Sequence, residues 1–286
     1  MSERRYRVVV HPGSAHKDDF LSVSVLLSTF DVAVVYRREA TAEDLADPFT
    51  YVVDVGMEYD AGRRNFDHHQ DPSLPCAFHL VMEYLGHHDS AMLMFEWYAH
   101  MSMMDVRGPY KTAEHLGVDT RVLFAASSPI DGYILSRFSR VRALRRGDIF
   151  YTLLKELGHD LIDMIGLKME RLERLKSEAR ILPVKHLKAI VSTIDDNPKL
   201  SMDRYLSFLN DDSIAMSITP SARGEGWEML RLGDNISVDF RTVADNPKIR
   251  FVHANGFVAK TRSLLPLEDA LELATQAVLL PAVSTV

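Results

Sequence analysis

The chain has 286 residues, 47% of them hydrophobic and 26% charged, with a formal charge of −7, a composition that fits a globular protein long enough for two cores. No apolar run approaches the roughly 18 residues of a membrane helix, and the first residues, MSERRYRVVVHPG, lack a signal peptide's apolar segment; no membrane association is expected, and a cytoplasmic or other reducing intracellular location is expected rather than secretion. The single Cys76 excludes an internal disulfide and a cysteine-rich zinc site, while the negative balance argues against a broadly basic surface and permits a local groove such as one using Arg140, Arg142, Arg145 and Arg146.

Tyr6 to Val10 is short and β-branched, which predicts a buried strand running into His11-Pro12-Gly13-Ser14-Ala15-His16-Lys17-Asp18-Asp19. Phe20 to Phe30 has helical spacing, and Val32 to Tyr36 and Tyr51 to Val55 read as further strands. Strand, helix, strand in that order implies a right-handed parallel unit, whose ligands sit outside the carboxyl ends of the strands. His11, Asp54 and Asp67 each fall at such an end. A short strand is expected over Gly62 to Phe66, a helix from Ala77 to Leu85, and a Met-rich, aromatic core helix from Ala91 to Met104 that stops at Asp105.

A long amphipathic helix, Ile149 to Glu178, reads as a connector. Beyond it come short strands at Leu187 to Val191, Ile214 to Ile218, Glu228 to Leu232 and Ile249 to His253, divided by turn clusters such as Asp195-Asp196-Asn197-Pro198 and Arg223-Gly224-Glu225-Gly226. A closing helix is expected from Pro266 to Val278. The fold class is α/β, with residues 1–148 as a metal-binding catalytic domain, 149–180 as the connecting helix and 181–286 as a smaller α+β substrate-binding domain expected to close over the metal site.

The chemistry centres on Phe66-Asp67-His68-His69-Gln70. Carboxylate and imidazole suit Mn, Fe or Zn. His11, His16, Asp18, Asp54, Asp67, His68 and Asp105 offer ligands for two divalent cations, with one carboxylate to bridge them, and such a pair points to phosphoester hydrolysis. His87-His88-Asp89 has similar composition but follows Gly86 at a helix end, where a structural role is expected. His253, Asn255, Lys260, Thr261 and Arg262 are placed on a loop between a strand and a helix, where amides and cations receive a phosphate.

HPGSAHKDD, VVDVG, FDHHQ and a later Asp resemble the ordered motifs of the DHH phosphoesterase superfamily, and the H-x4-H-x-D form of the first resembles the Myg exonuclease family. FVHANGFVAKT is similar to that family's final motif. The resemblance implies that His11, His16 and Asp54 hold one metal and Asp18, Asp54, His68 and Asp105 the second, that Asp67 orients His68, and that His69 faces the substrate phosphate. It also implies two divalent ions, Mn²⁺ with Mg²⁺ as the alternative, and a 3′–5′ exonuclease acting on RNA or short oligonucleotides; a homo-oligomer is compatible with the sequence.

The chain departs from the family in four places. The family's Phe-His-Cys-Asp-Glu appears as Ala15-His16-Lys17-Asp18-Asp19, and Lys17 either contacts phosphate or faces solvent. The segment after the triplet is reduced to DPSLPCAF. Asp131 rivals Asp105 as the fourth-motif ligand, and a Gly pair is replaced by Ala259-Lys260. A pyrophosphatase or nucleotide phosphatase on the same site, or an inactive binding or regulatory protein, are the alternative readings.

Overall fold

The computed structural model describes residues 5–194 and 199–280. The chain divides into two compact units, Met1–Gly166 and Leu167–Val286, and each is built on a six-stranded sheet. The expected turn at Asp195-Asp196-Asn197-Pro198 and the first four residues lie outside the described residues.

The first unit runs β1 (Tyr6–Val10), α1 (Lys17–Thr29), β2 (Val32–Arg37), α2 (Ala42–Ala46), β3 (Thr50–Val53), β4 (Tyr59–Asp60), β5 (Asn65–Phe66), α3 (Ala77–Tyr84), α4 (His88–Met94), α5 (Glu96–Leu116), α6 (Thr120–Ala125), α7 (Pro129–Ser139) and β6 (Ala143–Arg145), followed by α8 (Ile149–Glu178), inside which the division falls. The sheet order is β4-β5-β3-β1-β2-β6. Its four central strands are parallel, and β4 and β6 pair antiparallel at the edges. Val8, Val9 and Val10 of β1 and Tyr51, Val52 and Val53 of β3 are fully buried, as expected where a parallel sheet is covered on both faces. Tyr51 and Phe66 on one face join Tyr6, Phe30 and Tyr84 in an aromatic layer, while Val9, Val52 and Val55 pack with Ala40 and Leu45 in a separate cluster.

The second unit adds β7 (Arg180–Val184), β8 (Leu187–Val191), α9 (Lys199–Leu209), β9 (Ile214–Pro220), β10 (Trp227–Arg231), β11 (Ile249–Val252), β12 (Val258–Thr261) and α10 (Leu267–Ala277). Its order is β11-β12-β10-β9-β8-β7, with β8 and β9 parallel and the other pairs antiparallel. Ala270, Leu273, Ala274 and Ala277 of α10 pack into one core with Met216, Ile218, Met229 and Phe240.

Three expected elements differ from the reading above. Gly62 to Phe66 is not one strand: Ala61–Arg63 is a 3-10 turn whose Asp60 side chain caps the Arg63 N–H, and Arg64 is left-handed, so only Asn65 and Phe66 join the sheet. The helix expected over Ala91 to Met104 is broken at Phe95, which is extended, and α5 continues through Asp105 to Leu116 across a kink at Gly108-Pro109. Proline lacks the amide that would close that turn, and Gly108 adopts φ 77° in front of it. FVAKT is a strand, β12, rather than a loop, because it completes the ladder between β10 and β11.

Candidate metal centre

The site is assembled by sheet register. β1 and β3 are hydrogen-bonded neighbours with Val10 opposite Val53, so the residues that follow them, His11 and Asp54, emerge side by side, with His11 Nε2 3.4 Å from Asp54 Oδ2. Val53 is in turn opposite Phe66, which brings Asp67 to the same edge. β2 lies on one side of β1 and β3 on the other, so this edge is the switch point at which doubly wound sheets open a crevice. Asp54 adopts φ 56°, a left-handed conformation that Asp tolerates better than a branched residue. Its N–H donates to the Phe66 carbonyl at 3.0 Å and holds it there.

α1 supplies the next candidate ligands. His16 is its N-cap residue, and the His16 N–H donates to Asp19 Oδ1 at 3.0 Å in a capping box. Asp18 and Asp19 occupy the first turn, where amides and helix dipole favour negative charge. α5 carries Asp105 to 3.8 Å from His16 Nδ1 and 3.1 Å from His68 Nε2. His68 Nε2 is also 3.2 Å from the second oxygen of Asp54. Asp54 thus places one oxygen near His11 and the other near His68, the geometry of a bridging carboxylate.

Among the described residues, three groups bring ligand atoms close enough to share an ion: His11, His16 and Asp54; Asp54, His68 and His69; and His16, Asp18 and Asp105. Asp18, Asp54 and His68 are buried, yet both Asp18 oxygens, Asp54 Oδ1, His68 Nε2 and His11 Nε2 make no hydrogen bond. Buried polar atoms without a hydrogen bond are rare and costly, and here five of them meet in one place, three of them within ion-pair distance of an opposite charge. His11 Nδ1 bonds to the Pro12 carbonyl, which fixes the tautomer that leaves Nε2 able to bind a cation.

The electrostatics suit a site that takes up positive charge. Burial pushes the Asp18 carboxyl well above its ordinary value, and the neighbouring Asp54, Asp105 and Asp19 push it further. Asp54 is raised chiefly by burial, against the opposing pull of His68 and His11. Burial would lower His68, but the carboxylates of Asp105 and Asp54 outweigh it and raise it to about 10. Protons would stand in for a cation here, and these donors fit a divalent ion of the Mn, Fe or Zn type.

The supporting residues are placed differently from expectation. Asp67 does not hold the His68 ring. Its Oδ1 accepts the backbone N–H groups of His68 at 2.7 Å and His69 at 3.2 Å and the His69 Nδ1 proton at 2.7 Å, while Oδ2 accepts the Met57 N–H at 2.6 Å. Burial opposes these contacts, yet together they depress its pKa. Asp67 therefore orients His69, whose side chain is half exposed. Lys17 is paired with Asp131 at 2.6 Å, so Asp131 neutralises a cation of α1 and Asp105 is the carboxylate that joins the cluster. His88 bonds to the Tyr98 hydroxyl at 3.2 Å and stacks edge-on with His79, a structural network as expected.

In the second unit Lys260 lies within β12 with its ammonium 2.8 Å from the buried Glu228 carboxylate, rather than on a loop. Arg262 Nε donates to the Pro247 carbonyl, and His253 Nδ1 accepts the Asn255 N–H at 3.1 Å while its ring packs on Phe257. Of the four arginines proposed for a basic groove, Arg146 is engaged by Asp31 and the Val32 carbonyl.

Sequence reasoning missed Asp19 and Arg37. Asp19 is fully buried, 3.2 Å from His11 Nε2 and 3.0 Å from Arg37 Nη1. The available signal was the doubled acid, Asp18-Asp19, opening a helix. Arg37, at the end of β2, gave no local signal.

Among the described residues no helix is long and apolar enough to cross a membrane. No curated protein matches the chain. Solved structures similar to it include an uncharacterised protein from Helicobacter pylori G27, at 11% identity over 95% of this chain and 99% of that one with a TM-score of 0.24. An exopolyphosphatase-related protein from Bacteroides fragilis matches at 11% identity over 96% and 92% with a TM-score of 0.27. Likeness at that level carries no argument. The sequence model of the Myg1 exonuclease family, described as an uncharacterised protein family (UPF0160), matches residues 7–100 and stops short of Asp105 and FVHANGFVAKT. That span contains HPGSAHKDD, VVDVG and FDHHQ, and over these residues, about a third of the chain, the sequence is similar to the Myg exonuclease family.

Proposed function

We propose that this chain is a divalent-metal-dependent phosphodiesterase of the DHH type, a 3′–5′ exonuclease that acts on RNA or short oligonucleotides. The observation that carries the reading is the convergence of unpartnered buried atoms on Asp18, Asp54, His68 and His11. His11, His16 and Asp54 would hold one ion, and Asp18, His68 and Asp105 with Asp54 the other, Mn²⁺ or Mg²⁺. Bound there, the ions would supply an activated water and neutralise charge on the phosphate oxygens.

The protein's own groups do the rest. Asp67 holds His69 Nδ1, so Nε2 of that half-exposed ring is the atom left to face the phosphate and to pass a proton to the leaving oxygen. The Asp131 carboxylate holds the Lys17 ammonium at the start of α1, and Lys17 contacts phosphate only by leaving it. His253, Asn255 and Arg262 are the proposed substrate contacts of the second unit, with Lys260 joining them only if it leaves Glu228.

The test is labelled single-stranded RNA incubated with and without Mn²⁺, comparing wild type with Asp67→Ala and His68→Ala, with pyrophosphate offered in parallel. Shortening from the 3′ end by wild type alone is expected. Equal cleavage by all three proteins would remove the site assignment, and release of phosphate from pyrophosphate with intact RNA would move the substrate class.

A further inference from the structure

Asp19 has the position of a metal ligand without belonging to any group that could hold one. Its Oδ2 is closer to His11 Nε2, at 3.2 Å, than Asp54 Oδ2 is at 3.4 Å. Among the described residues it is as buried as any carboxylate. Yet none of the three ligand groups includes it. Both of its oxygens are already taken. Oδ1 accepts the His16 N–H at 3.0 Å, and Oδ2 accepts Arg37 Nη1 at 3.0 Å.

Arg37 is itself buried, 5% exposed, in a bed made for a flat cation. Its guanidinium carbon lies 4.3 Å from the centre of the Phe138 ring, and Nη2 donates to the carbonyls of Gly13 at 3.3 Å and Ser14 at 3.4 Å. Those carbonyls belong to the loop that carries His11 at one end and His16 at the other. A guanidinium keeps its charge and presents several donors in one plane, so a single side chain can neutralise Asp19 and tie the loop at the same time.

We infer that Arg37 is a positioning residue that sets the ligand roster of the metal centre. It occupies the Asp19 carboxylate and leaves His11, His16 and Asp54 to bind the ion, while its second nitrogen fixes the spacing of the two histidines. The inference rests on the reading of this cluster as a metal centre. Lysine in the same place would neutralise Asp19 but could not also span both carbonyls.

Titration of the full-length protein with Co²⁺, followed by its visible absorption and by the number of ions bound, tests this without any assay of turnover. Asp19→Asn is expected to keep the wild-type bands, because Asp19 is not a ligand. Arg37→Met is expected to shift them as the released carboxylate joins the ion, and Arg37→Met with Asp19→Asn to restore them. Arg37→Lys is expected to keep the bands and weaken binding severalfold. Altered bands in Asp19→Asn, or wild-type bands and affinity in both Arg37 variants, overturn the inference. If Arg37→Met does not fold, Asp19→Asn and Arg37→Lys still decide it. A wild type that binds no Co²⁺ removes the metal reading and this inference together, whereas a wild type that binds with unaltered Arg37 variants removes this inference alone.

Discussion

Replacing Asp18 with Asn should make the metal-free protein more stable and the metal-loaded one less so. Asp18 is 1% exposed, and neither oxygen has a hydrogen-bond partner among the described residues. Burial, followed by repulsion from Asp54, Asp105 and Asp19, raises its pKa well above 3.8. The folded metal-free state therefore binds a proton that the unfolded chain releases. Stability from that proton is complete below pH 3.8 and is lost as pH rises toward the raised folded value. An amide has the same shape and no charge. Removing one buried carboxylate that makes no hydrogen bond is worth about 1–3 kcal/mol, or roughly 2–12 °C for a unit of this size at ~2–4 °C per kcal/mol. With Mn²⁺ at about 100 times its dissociation constant, wild type should gain about 2.7 kcal/mol by mass action, and Asp18→Asn should lose most of that gain. Thermal melts in chelator and in Mn²⁺, repeated from pH 5 to pH 8, measure both effects. Because binding must expel the Asp18 proton, Mn²⁺ should also bind more tightly as pH rises. A variant that melts below wild type in chelator, or that Mn²⁺ stabilises equally, would refute the argument.

Two further substitutions probe the scaffold. Gly158 of α8 sits against the Ser24 carbonyl and Ser28 hydroxyl of α1, where an added Cβ collides with backbone; Gly158→Ala should cost at least 1–3 kcal/mol, and a melting temperature equal to wild type would contradict the packing. Lys260→Met removes the ammonium beside buried Glu228 and should lower the stability of the second unit by roughly 3 kcal/mol; denaturant unfolding of Lys260→Met, Glu228→Gln and the double variant tests the pairing, and strictly additive losses would argue against it.

Much of the candidate site was legible because most of its residues stand next to an element the sequence announces. His11 and Asp54 follow valine-rich strands, and His16 and Asp18 open a helix. What could not be read was which side chain meets which. Asp67 and His68 are adjacent in the chain, but their backbone directions send the Asp67 carboxylate to the His69 ring and to the Met57 amide. That Asp105 lies inside α5, at the position where the helix was expected to stop, and that Asp131 pairs with Lys17, came only from the fold. Lys260 was misplaced because FVAKT alone does not reveal the two strands that flank it.

The sequence by itself determined the strand-and-helix alternation of the first unit, the switch to short strands in the second, and the residue types able to bind a cation, since all of these follow from periodicity, turn chemistry and ligand character read locally. Tertiary structure alone decided the register that sets His11 beside Asp54, the burial that leaves Asp18 without partners, and the pairing of Arg37 with Asp19. Each of these depends on segments far apart in the chain reaching the same sheet edge, and pairwise distance across strands is a property that no local pattern of residues encodes.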